Sequence, residues 1–148
     1  MRAVVIKGCC KADELTVTDI PIPKVCPGWV LIKVHAAGLN HSEAILRMYE
    51  ADEDYIPTPI VPGIECAGEV ADASDSNLQT GDCVVALMGG IGRSFNGSYE
   101  EYVLVPRSHV FKVNTSLSWT ALAAIPETYF GPRGIVRGGR MPLPNQRQ

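Results

Sequence analysis

The stretch 36-AAGLNHSEA-44 sets four polar side chains, Asn40, His41, Ser42 and Glu43, between a β-branched run and an apolar-periodic segment. These residue types bind metals, move protons or cap helices. A zinc site needs three or four Cys, His, Asp or Glu side chains converging on one point. His35, His41 and His109 are singly placed, and His41 and Glu43 are two residues apart, so on a helix they diverge. Spacing therefore assembles no ligand set. A nucleophile fares no better, because the chain has no G-x-S-x-G. The glycines of 89-GGIGRSFNG-97 invite comparison with a phosphate loop. Phe95 stands where the third Gly of G-x-G-x-x-G would be, and no Lys-Ser/Thr pair follows. That stretch reads as a flexible connection between strands. For 36–44 the remaining local role is a cap: Ser42 or Asn40 closes the helix start, and Glu43 suits its positive end.

The elements that must position these residues are mainly strands. Arg2 to Lys7 is a short β-branched run, and Leu15 to Ile22 alternates until Pro21 and Pro23 end it. Trp29 to Ala36 is the cleanest strand, with Lys33 and His35 alternating against Ile32 and Val34. Further strands are expected at Cys83 to Leu87, Tyr99 to Pro106 and Val110 to Val113, with a hairpin-type turn at Asn96-Gly97. Two segments are periodic enough for helices. One is 42–50, with Ala44, Ile45, Met48 and Tyr49 on its apolar face. The other is 118–127, capped by Ser118 and stopped by Pro126. Turn signals about every ten residues suggest a barrel or sandwich.

The 148 residues are 46% hydrophobic and 20% charged, which suits one globular domain with a real core. No window approaches the roughly 18 apolar residues of a membrane span. The short run Ala3 to Ile6 is too brief for a secretory signal core. The expectation is an intracellular, cytoplasmic protein. Cys9, Cys10, Cys26, Cys66 and Cys83 show no zinc-knuckle spacing and read as small buried hydrophobes. All sixteen acidic residues lie before Phe130 beside nine basic ones, so that body carries −7. Residues 131–148 carry Arg133, Arg137, Arg140 and Arg147 and no acid. Four arginines without aromatic partners are a poor nucleic-acid signature, and a solvated, disordered Gly/Pro/Arg-rich tail is expected there.

Six stretches in order resemble the N-terminal domain of the medium-chain dehydrogenase/reductase superfamily. They are 1-MRAVVIKG-8, 28-GWVLIKVHAAGLNHSEAILR-47, 62-PGIECAGEV-70, 80-TGDCVVAL-87, 96-NGSYEEYVLVP-106 and 118-SWTALAAIPETYF-130. The resemblance covers nearly all of residues 1–130. It implies a mainly β domain with short helices, the GroES-like partly open β-barrel. In zinc alcohol dehydrogenases of this superfamily, a cysteine ligand follows the long strand where this chain has Asn40. A histidine ligand stands where this chain has Ile64, just before Glu65. The lobe of four close cysteines is replaced by GGIGRSFNGS. The likeness is thus to the zinc-independent quinone oxidoreductase branch, whose members pass a hydride from NADPH to a quinone or enone.

That resemblance implies a cofactor-and-substrate role for Asn40, a nicotinamide contact for Thr128 and substrate-pocket places for Tyr55 and Ile64. It assigns no catalytic acid, base or metal ligand to this chain. Glu65 is expected to stabilise the fold, and His41 to be an exposed first-turn residue. The family continues past the place of Phe130 into a Rossmann domain with a glycine-rich dinucleotide loop. The 18 residues after Phe130 do not supply one. The expectation is a truncated, inactive chain that binds NADPH weakly by itself. Trp119, Leu122, Ile125, Tyr129 and Phe130 would then lose their cover. The alternative is a stand-alone, non-catalytic module that binds a partner or forms a homodimer. No nucleic-acid or membrane partner is expected.

Overall fold

The computed structural model describes residues 1–73 and 77–130. The expected tail at 131–148 lies outside the described residues. Among the described residues, seven strands and two short α-helices follow in order: β1 (Arg2–Val4), β2 (Val17–Asp19), β3 (Trp29–Ala37), α1 (His41–Ile45), β4 (Glu65–Asp72), β5 (Cys83–Leu87), β6 (Tyr102–Pro106), β7 (Val110–Lys112) and α2 (Trp119–Ala123). β1 and β2 pair as a small ribbon, and the other five strands form one sheet in the order β6-β3-β4-β5-β7. Every pairing is antiparallel. Register shifts between Leu31 and Ile32 and between Val34 and Ala36 interrupt the β3–β4 ladder. Such bulges bend a strand and increase its twist, which curls an open sheet toward a barrel. The result is the partly open, mainly β architecture that the sequence suggests.

β4 has no clear alternating pattern, and strand reading passed over it. The reason is burial on both faces. Cys66 and Val70 join the inner core, with Val30, Ile32, Val84, Ala86, Val103 and Val105. Ala67 faces the other way and packs with Val85 under Leu122 and Ala123 of α2. A strand covered on both sides needs no polar alternation. Gly68 lies so close to β3 that a Cβ there would stand 2.2 Å from the Lys33 carbonyl oxygen. At that position glycine sets the spacing of the central pair.

α2 is started by Ser118, whose Oγ accepts from the Ala121 N–H at 3.3 Å. α2 ends at Ala123, ahead of Pro126 as expected, but Pro126 does not end the helical winding. It opens a π-helical turn, Pro126–Phe130, because the first position of a turn needs no N–H from it. Leu122 is 5% exposed, covered by Ala67 and Val85 of the sheet, while Trp119 and Ile125 pack against the same cluster. The expectation that this stretch lies bare holds for Tyr129, which is 54% exposed. Trp119 also stacks on His35 of β3, with ring centroids 4.5 Å apart.

The first helical segment departs from its predicted face. α1 runs into a π-helical turn, Leu46–Glu50, in which the Ala51 N–H reaches back to the Leu46 carbonyl at 2.9 Å. The wider turn changes the phase of the stripe. Leu46 and Ala51 are each 1% exposed, whereas Met48 and Tyr49 face solvent. Leu46 and Ala51 pack with Ile6, Ile56 and Ile60 as a second small core. Asn96-Gly97 does not turn a hairpin either. The Gly97 N–H donates to the Val61 carbonyl at 2.7 Å, and Asn96 Oδ1 accepts from the Val61 N–H at 3.1 Å. The glycine-rich loop before it is pinned: Ile91 is 1% exposed, and Arg93 Nη2 donates to the Ser42 carbonyl at 2.9 Å. Cys66 alone among the five cysteines is buried; Cys26 is exposed and the other three are partly so. Burial pushes the Cys66 thiol up to about 12. No helix among the described residues is long and apolar enough to cross a membrane.

Candidate functional site

The turn between β3 and α1 and the start of β4 meet at one carboxylate. Glu65 is 3% exposed. Its Oε1 accepts from Asn40 Nδ2 at 2.9 Å, and its Oε2 accepts from the Glu127 N–H at 2.6 Å. Room for this comes from Gly38, where a Cβ would stand 2.0 Å from Glu65 Oε1. A carboxylate that accepts from two such donors is fixed in both torsion and height, so it holds Asn40 and the 126–130 turn at a set separation.

Glu43, at the third position of α1, is the second buried carboxylate, 8% exposed. Its Oε2 accepts from the Asn40 N–H at 2.8 Å, and its Oε1 from the Ile64 N–H at 3.1 Å. The first of these is half of a capping box, in which the third residue's side chain serves the cap residue's free N–H. Asn40 thus occupies the cap position in extended backbone, and its side-chain Nδ2 donates to Glu65. Tyr99 closes the cluster: its hydroxyl donates to the Gly38 carbonyl at 3.0 Å. Burial, then the nearby Glu43 and Glu65, push the Tyr99 phenol well above its usual range. A small hollow of about 210 Å³ opens beside the cluster, lined by Leu39, Asn40, Glu43, Ala44, Pro62 and Tyr99 among others.

The residues singled out from sequence distribute unevenly. Asn40 is half-buried, with one amide N–H on Glu65 and, among the described residues, a second still to give. Thr128 is exposed and follows the Glu127 N–H that holds Glu65, so a single carboxylate links the segments of both expected cofactor contacts. Ile64 is 7% exposed and Tyr55 is 65% exposed. No hydrogen bond or ring contact among the described residues joins Tyr55 to this cluster. His41 is exposed on the first turn of α1. Glu65 serves as the anchor expected of it. Sequence reading missed Tyr99 and the Glu127 N–H. Both lie about 60 residues from their partners, and neither has a local pattern that marks it.

No three His, Cys, Asp or Glu side chains among the described residues gather as a metal site. What the cluster offers is a small set of rigid donors beside an apolar hollow, which suits orienting a carbonyl or carboxamide group.

A curled antiparallel sheet with a short helix after its longest strand defines a GroES-like domain. Residues 26–115 match the alcohol dehydrogenase GroES-like domain, and the chain belongs to that family, within the medium-chain dehydrogenase/reductase superfamily. It is 32% identical over 131 residues to mouse synaptic vesicle membrane protein VAT-1 homolog-like, covering 87% of this chain and 30% of that protein. It is 36% identical over 111 residues to a probable quinone oxidoreductase of Schizosaccharomyces pombe, covering 72% of this chain and 30% of the relative. The crystallised quinone oxidoreductase of Coxiella burnetii superposes with a TM-score of 0.79 at 25% identity, over 92% of this chain and 44% of that one. The chain therefore spans about a third of the length of these curated relatives.

Proposed function

We propose that this domain is the substrate-side wall of an NADPH-dependent, zinc-independent oxidoreductase acting on quinones or enones. The observation that carries the reading is the Asn40–Glu65–Glu127 link. It ties Asn40, which lines the apolar hollow, to the turn that carries the exposed Thr128. The relatives named as quinone oxidoreductases support the same substrate class. When bound, the nicotinamide would supply the hydride. The part of this chain is to orient: the second Asn40 N–H donates to a carbonyl oxygen of the substrate or to the carboxamide, and Thr128 offers its hydroxyl to the cofactor. Asn40 and Ile64 stand where the zinc enzymes of the superfamily carry ligands, and neither is a zinc ligand type. In such enzymes most dinucleotide affinity resides in a Rossmann partner domain. Residues 1–130 taken without one should bind NADPH weakly.

The test is a nitrogen-15 spectrum of the chain titrated with nicotinamide mononucleotide and with duroquinone, which has no free ring position for thiols to attack. The expected result is that the Asn40 side-chain amide and the Thr128 amide shift with both. Asn40→Ala should remove the quinone shifts and leave the fold intact by circular dichroism. Shifts confined to other regions, or none at all, would overturn the reading in favour of a non-catalytic binding or dimerising module.

A further inference from the structure

Glu100 is 6% exposed, and neither of its carboxylate oxygens has a hydrogen-bond partner among the described residues. It lies just before β6 and bridges Ala3 of β1 through the backbone. It also lines a pocket of about 370 Å³ whose other walls include Pro21, Pro23, Trp29, Phe95 and Leu104. Trp29 and Phe95 meet edge to face there, with ring centroids 5.1 Å apart. The pocket shares no residue with the Asn40–Glu65 cluster. Asn96 and Met1 also line it, and a hollow of this size with largely apolar walls and a few polar groups is that of a small-molecule site.

The neighbouring charges are committed elsewhere. The Arg2 guanidinium pairs with Glu101 at 2.8 Å, and the ammonium of Met1, which also lines the pocket, gives one N–H to the Ile20 carbonyl at 2.8 Å and none to Glu100. The Tyr99 hydroxyl is on Gly38. Cys26, also on the pocket wall, is a free, exposed thiol. Prolines at the wall supply no backbone N–H. A buried carboxyl left in this way costs stability until something donates to it.

We propose that this pocket binds a small primary amine with an apolar, preferably aromatic, body, and that Glu100 receives its ammonium group. An alcohol or a carbonyl compound satisfies at most one oxygen of Glu100. An ammonium brings three donors and the opposite charge. The Trp29 ring adds the attraction of an aromatic face for a cation. Burial holds the free carboxyl at about 8, so in neutral solution the empty site is mostly protonated. Binding the ammonium ion releases that proton to solvent. Affinity therefore rises with pH up to about 8, by up to about tenfold per unit, and then levels off.

The probe is benzylamine, with benzyl alcohol as the neutral control of the same shape. Binding to the whole chain is followed by tryptophan fluorescence in a Trp119→Phe background, where Trp29 gives the signal. Saturable benzylamine binding is expected, at least about tenfold tighter than benzyl alcohol near pH 8. Glu100→Gln should abolish that preference, and Leu104→Trp, which fills the pocket, should abolish both. In the unmutated chain the carbon-13 shift of the Glu100 carboxyl should move to its ionised value with the amine and stay put with the alcohol. Equal affinity for amine and alcohol, an unmoved Glu100 carboxyl at saturation, or no saturable binding up to millimolar amine would overturn the proposal. So would a folded Glu100→Gln chain that keeps the preference.

Discussion

Glu65 and Glu100 are the same residue, buried to nearly the same extent, at 3% and 6% exposure. One accepts from a side-chain amide and a backbone N–H, and the other accepts from nothing among the described residues. Burial alone does not determine what a carboxylate does; the supply of donors does. Glu65 starts a strand opposite a turn and beside a second turn, where backbone N–H groups are unpaired by geometry. Glu100 lines a pocket walled mainly by prolines, aromatic rings and a leucine, with Asn96 and Met1 beside them and no donor on either oxygen among the described residues. The first arrangement fixes a site, and the second leaves an acid with an unmet demand.

The largest expected effect comes from removing the satisfied acid. Glu65→Ala leaves the Asn40 amide and the Glu127 N–H without an acceptor and should cost about 2–4 kcal/mol in a denaturant melt. A loss below about 0.5 kcal/mol would break the contrast, because surface carboxylates behave that way. Gly38→Ala should cost about 2 kcal/mol in the unmutated chain, since its Cβ would stand 2.0 Å from Glu65 Oε1. In a Glu65→Ala background it should cost much less. A double-mutant cycle that came out additive would show that Gly38 is needed for something other than this carboxylate.

Glu100 should respond with the opposite sign. Glu100→Leu removes a buried acid and should raise stability by about 1–3 kcal/mol above pH 8. The pH profile sharpens the point. The folded carboxyl keeps its proton up to about 8, whereas an unfolded glutamate loses it near 4.5. Between those values the folded state binds more protons. The cost of ionising Glu100 is thus absent below 4.5, and stability falls as pH rises through the window, by at most about 1.4 kcal/mol per pH unit. Glu100→Leu should flatten that part of the curve, and an unchanged slope would place the titration on another group. The smallest effect belongs to Glu101, the next residue. Its carboxylate is held below the usual range by the Arg2 N–H and guanidinium, but it lies at the surface. Arg2→Ala should leave the melting temperature unchanged at moderate salt.

Much of the frame was legible locally. β5 coincides with the run Cys83–Leu87, and β3 with the alternation beginning at Trp29. Ser118 caps α2 as its type and place suggest. β4 was not legible, because both of its faces are covered and Gly68 interrupts its apolar run. The apolar face of the first helical segment was misread, because a π turn resets the phase from Met48 and Tyr49 to Leu46 and Ala51. At the site, Asn40 could be picked out by its turn and its family position. Glu65 was legible as a stabilising residue, but its pairing with Asn40 was not, because 25 residues of chain separate the two.

The residue order by itself determined the strands with clean two-residue alternation, the helix cap at Ser118 and membership of the GroES-like family. Each depends on neighbours in sequence or on an ordered set of motifs. Tertiary structure decided which carboxylate is satisfied and which is not. Donors reach Glu65 from Asn40 and from Glu127, 62 residues away, while the walls around Glu100 converge from the N-terminus, β3 and the loop before β6. A hydrogen bond requires donor and acceptor within about 3 Å, and only the folded chain determines which pairs come that close.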